Sequence, residues 1–177
     1  MSFIELSGKA VKRSFRIDSA LDEELEKEAE KNGVNVNTLL AQMINTYLNF
    51  HRYNSARNFI NIGNNTLKTL LSCIDEDELY RCGYEMGTEN PVSRVFRAGR
   101  RPNKDSVRIY LQTLDSYANW FFCETKEIDG EEYIYVDHNH GSLWCRFLEG
   151  YFRGIFDKIE LKAEILRRGD WFLISVK

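Results

Sequence analysis

The chain has 177 residues, of which 43% are hydrophobic and 13% aromatic, ample for a packed core and too apolar for a disordered chain. No apolar run approaches the roughly 18 residues that a membrane helix needs, and the opening MSFIELSGKAVKRS lacks the basic and then apolar regions of a secretion signal. The net charge of -3 conceals an asymmetry, with four cations and no acid from Lys9 to Arg16, then seven acids against Lys27 from Asp18 to Glu30. Global charge therefore says little about partners, while the basic segment is free to meet phosphate.

In chain order, Val11 to Ile17 alternates, with Val11, Arg13, Phe15 and Ile17 on one side and Lys12, Ser14 and Arg16 on the other. That pattern predicts a short half-buried strand. Ser19 followed by Asp22 resembles a capping box and opens a helix carrying Leu21, Leu25 and Ala29, which stops at Asn32-Gly33. Asn35 or Asn37 caps a second helix with an apolar stripe of Leu39, Leu40, Met43, Ile44, Tyr47 and Leu48. A unit this small buries too little surface to stand alone.

From Asn54 the pattern changes. Helices are expected over 57–74 and 76–87, then a break at Pro91 and an exposed basic loop with Arg94, Arg97, Arg100, Arg101 and Lys104. An amphipathic helix follows over 104–121. Strands at 121–127 and 132–137 are joined by Asp129-Gly130, a strong hairpin signal. Gly141-Ser142 opens a helix with Leu143, Trp144, Phe147, Leu148, Tyr151, Phe152 and Ile155 facing inward. A last hairpin, 158–166 and 171–176, turns at Arg168-Gly169-Asp170. The expected fold class is α+β, helices packed on an antiparallel sheet, with a domain boundary dividing residues 1–53 from 54–177.

Residues 12–48, KRSFRIDSALDEELEKEAEKNGVNVNTLLAQMINTYL, resemble the ribbon-helix-helix family of prokaryotic repressors. The resemblance implies an intertwined homodimer, or a higher homo-oligomer, whose two N-terminal strands pair into a ribbon in the major groove of double-stranded DNA. By match, Lys12, Ser14 and Arg16 read base edges; Lys and Arg suit guanine, and Ser adapts to several bases. The start of the second helix would hold a phosphate through Asn37 and Thr38, with Lys9 and Arg13 adding phosphate contacts. Arg13 departs from the pattern by lying on the nominally buried strand face.

Residues 141–177 resemble the closing part of the 4-vinyl reductase-like domains, which are similar in fold to haem–nitric-oxide-binding domains and to a vesicle-tethering subunit family. The likeness rests on a Cys-bearing helix with a Gly-x-x-x-Gly face (Cys145, Gly150, Gly154) that feeds a terminal hairpin. It implies a pocket for a small apolar or tetrapyrrole-like ligand near those three residues. The glycines imply in any case that something approaches closely, either the neighbouring sheet or a ligand. The family's cysteine zinc site is not expected, because the final hairpin has no cysteine.

His138 and His140, with Cys145 and Cys123 nearby in sequence, are candidate metal or haem ligands set against plain core packing. Glu131, Glu132 and Asp137 read as ordinary hairpin acids, and His51 as a helix-surface residue. The four cysteines are irregularly spaced and are expected as reduced thiols of a cytoplasmic protein without membrane contact. No nucleophile elbow, phosphate-binding loop or zinc-protease motif is present, so no enzyme is expected. The expectation is a DNA-binding transcriptional regulator, a dimeric repressor type. Its C-terminal ligand-binding domain senses a small-molecule effector or supports oligomerisation, and no cofactor is required. The alternatives are an antitoxin-like interaction protein and a metal- or haem-binding sensor or enzyme.

Overall fold

The computed structural model describes residues 11–51, 62–97 and 101–176. They fall into two compact units, one within 2–59 and the other within 60–177. The fold class is α+β, with six α-helices and a four-stranded antiparallel sheet among the described residues.

In the first unit, residues 11–18 are not helical and pair with no strand. Val11, Phe15 and Ile17 are 72%, 61% and 40% exposed. The expected half-buried strand is thus not formed within one chain, for a strand needs a ladder partner and this unit supplies none among its described residues. Helix α1 (Ser19–Lys31) is capped one residue earlier than the capping-box reading has it, with Asp18 Oδ1 accepting from the Ala20 N–H at 2.9 Å. Its end is a Schellman motif. Gly33 takes φ +66°, its N–H donates to the Glu30 carbonyl, and the Val34 N–H reaches back to Ala29.

Asn35, one of the two expected caps, opens helix α2 (Val36–Thr46), which runs into a π-helical turn at Tyr47–His51. Along α1 and α2 only Ala29 is buried among the described residues. Leu21, Met43, Ile44 and Tyr47 are exposed.

The second unit holds a complete core. Helix α3 covers Asn64–Leu71; residues 57–61 of the longer expected helix lie outside the described residues. Helix α4 (Glu76–Arg97) runs straight through Pro91, so Pro91 is not a break and Arg94 and Arg97 lie in helix, not in a loop. The ring costs one backbone hydrogen bond, toward the carbonyl of residue 87, but Pro91 is almost fully buried and tertiary packing overrides the local penalty.

Helix α5 (Lys104–Thr113) begins with a full capping box. Asn103 Oδ1 accepts from the Ser106 N–H at 3.0 Å, and Ser106 Oγ accepts from the Asn103 N–H at 2.9 Å. A π-helical turn, Leu114–Ala118, ends at Asn119, whose φ of 52° is left-handed. The expected helix over 104–121 therefore stops short.

Strands β1 (Phe122–Ile128) and β2 (Glu131–Asp137) form the expected hairpin. Helix α6 (Ser142–Lys158) leads to β3 (Ala163–Arg168) and β4 (Trp171–Val176). The sheet order is β1-β2-β4-β3, antiparallel throughout. Residues 158–162 of the predicted final strand belong instead to the end of α6 and a loop.

Ile134 and Val136 of β2 stand beside Ile174 and Phe172 of β4 in register. Together with Leu111, Leu148, Tyr151 and Phe152 they form the centre of the core. Phe152 meets Phe172 edge to face at 5.5 Å, and the Tyr110 and Tyr151 hydroxyls are hydrogen-bonded within the core.

Helix α6 packs hardest against α4. A Cβ built on Gly83 or Gly87 would stand 2.0 Å or 2.2 Å from the carbonyl oxygens of Phe147 and Tyr151. One on Gly150 or Gly154 would stand 2.1 Å or 2.3 Å from those of Tyr80 and Tyr84. Two Gly-x-x-x-Gly faces thus interlock, and because Gly87 meets residues four further along α6 than Gly83 does, the helices run in the same direction. Arg146 extends the contact by lying over the Tyr80 ring at 4.5 Å and bonding Asp77 at 3.2 Å.

Candidate functional site

In the N-terminal unit, Lys12, Arg13, Ser14 and Arg16 are all exposed, and Lys9 lies outside the described residues. Three cations and a hydroxyl are thus presented on a segment that has no strand partner among the described residues. At the start of α2 the Thr38 N–H and hydroxyl both turn onto Asn35 Oδ1, at 2.9 Å and 3.1 Å. The Leu39 N–H makes the first intrahelical bond, to the Asn35 carbonyl. The amides of Val36 and Asn37 precede both bonds, and no acid lies in this first turn, so the outward donors there favour an anion. Asn37 is exposed beside them. Thr38 serves the cap, and any phosphate contact falls on Asn37 and the backbone.

The pocket expected at Cys145, Gly150 and Gly154 is corrected by the packing of α4. The space beside both glycines is filled by the backbone of that helix, leaving no opening for a ligand. The approaching element is a helix and not the sheet. Cys145 is fully buried, and its thiol donates to the Gly169 carbonyl at 3.2 Å. Burial pushes that thiol up to about 11, so it is held as a neutral S–H group.

His138 and His140 stack with ring centres 6.1 Å apart, and three of their four ring nitrogens have a polar contact. His138 Nδ1 accepts from the His140 backbone N–H at 3.3 Å, which puts the proton of the neutral ring on Nε2, a buried atom with no partner among the described residues. His140 Nε2 lies 3.0 Å from the Asn119 carbonyl and Nδ1 2.9 Å from Asn64 Oδ1, both acceptors, so the neutral ring donates to one of the two. No cluster of three His, Cys, Asp or Glu side chains able to hold a metal gathers among the described residues. His140 links the β2–α6 loop to Asn64 at the start of α3. The four cysteines are all free thiols.

One acid is misread by sequence. Glu132 is 8% exposed, with Oε2 held by Lys104 Nζ at 2.7 Å and Oε1 buried without a partner among the described residues. The strict alternation Glu132, Ile134, Val136 was the available signal, since it places Glu132 on the core side of β2. Lys104, at the junction of the expected basic loop and the helix expected from 104, opens α5 and anchors it to the sheet.

No helix among the described residues is long and apolar enough to cross a membrane. Comparison with protein families, curated proteins and solved structures finds no match to the chain.

Proposed function

We propose that the chain is a sequence-specific DNA-binding transcriptional regulator. Two copies join through residues 11–17 in a ribbon-helix-helix arrangement, and residues 60–177 sense a small ligand or strengthen assembly. The observation that carries this reading is the unfinished state of the N-terminal unit. Its alternating segment displays Val11, Phe15 and Ile17 to solvent, and α2 buries no side chain.

An isolated segment of that kind leaves apolar surface and backbone hydrogen-bonding groups unused, and an identical segment related by a twofold axis uses both. Pairing would put Val11, Phe15 and Ile17 against the α2 stripes. Lys12, Ser14 and Arg16 would stand on the open face of the ribbon, with donors suited to base edges in the major groove. An effector that favours one dimer geometry would change DNA affinity by linkage.

The test selects DNA from a random pool and titrates the selected site by gel shift. Arg16→Ala is expected to lower specific affinity by about 1–3 kcal/mol while the protein remains dimeric by sedimentation. Unchanged affinity would refute the assigned strand face, and a monomeric wild-type protein would refute the ribbon itself.

A further inference from the structure

The inner face of the sheet is apolar except at Arg167, which pairs with Glu149 of α6, and at the β1–β2 corner. There Glu132 occupies a position that its neighbours Ile134 and Val136 fill with core side chains. Glu127 stands directly across the ladder from it, so two carboxylates share one face. Lys104 neutralises one oxygen of Glu132, while Arg108 is paired to Asp105 at 3.2 Å. Next along β1 on the same face is Thr125, whose Oγ1 is also buried without a partner among the described residues. Both orphan oxygens belong to residues lining a cleft of about 400 Å³ between α5 and the sheet, bounded by Arg108, Ile109, Gln112, Thr125, Glu127 and Glu132.

A buried carboxylate oxygen with nothing donating to it is costly, and like charges directly opposed on a ladder add to that cost. Both penalties vanish if something enters with N–H donors and positive charge. We propose that this cleft binds a small organic cation, a primary amine or guanidinium. Its charge sits between Glu127 and Glu132 and its carbon chain lies along Ile109, and a rotation of the Glu132 side chain turns the buried Oε1 outward to accept from its N–H groups. A hard divalent ion suits the cleft less well. It wants about six oxygens, and Lys104 already holds one of the two carboxylates.

The inference rests on the small-ligand half of the function proposed above. Because binding is measured on the full chain without DNA, its failure leaves the DNA-binding half standing, and the reverse also holds. The experiment is calorimetric titration with 1,4-diaminobutane and with agmatine, and separately with n-butanol and with magnesium chloride. Saturable binding of an amine or guanidinium probe with Kd below about 1 mM is expected, with no binding of butanol. Glu132→Gln is expected to weaken it at least about tenfold. Should that variant fail to melt cooperatively, Glu127→Gln at an exposed position decides, with an expected weakening of about threefold or more. The proposal is overturned if neither cationic probe binds, if a folded variant binds as tightly as the parent, or if magnesium binds at Glu132 and excludes the amines.

Discussion

Burial separates the cysteines of this chain into two chemical kinds. The Cys123 thiol is pushed up to about 12, first by its own burial and then by the nearby Asp115 carboxylate, and burial alone dominates at Cys145. Cys73 is exposed. Because only the thiolate reacts, brief iodoacetamide treatment at pH 8 is expected to label Cys73 in the folded protein and to spare Cys123 and Cys145 until denaturant is added. Peptide mass spectrometry reads the sites, and equal early labelling of Cys123 would contradict its burial.

His138 gives a pH signature. Burial, the largest influence, pulls its ring below the ordinary value, against an upward pull from Asp170. The unfolded chain therefore takes up this proton before the folded one does. Stability is expected to be flat above about pH 7 and to fall as pH drops through about 6.5. Chemical denaturation between pH 8 and 5.5 measures the slope, and His138→Leu is expected to flatten it.

Among the elements, the α4–α6 pair is the least tolerant of change. Gly83→Ala and Gly150→Ala each drive a methyl group into a backbone carbonyl at near 2 Å, which neither a rotamer change nor a flexible neighbour relieves. Each is expected to cost about 1–3 kcal/mol or more, seen as a lower denaturation midpoint, whereas Gly130→Ala meets no neighbour and pays only for its left-handed φ of 81°. Hairpins were readable in the sequence because Asp129-Gly130 and Arg168-Gly169-Asp170 carry their turn chemistry locally. The continuation of α4 past Pro91 was not, because its cause is burial against residues distant in sequence. Gly150 and Gly154 announced a close approach, yet only their match with Gly83 and Gly87 identifies the partner as a helix. Asp18 took the cap from Ser19 because a carboxylate one position earlier reaches the same first-turn amides.

At the scale of the whole molecule, the two units differ in self-sufficiency. The core from Leu71 to Val176 closes within 60–177, so a fragment spanning 54–177 is expected to melt cooperatively alone, by circular dichroism, as a binding-dependent antitoxin-like tail would not. The N-terminal unit was legible as helix, turn and helix, whereas the strand expected over 11–17 is not formed among the described residues; on the proposed reading, its pairing would need a second chain. The corner holding Glu132 was legible only in its periodicity. An acid is assigned to solvent by default, and its burial follows from where α5 comes to lie.

The parallel seating of α4 on α6 also fixes an order of events during synthesis. The groove that receives Gly83 and Gly87 is made of backbone from Phe147 to Ile155, well downstream of α4 in the chain. While the ribosome is still producing the first hairpin, α4 has α5 beside it but not its main partner, and the unit cannot lock until α6 has emerged.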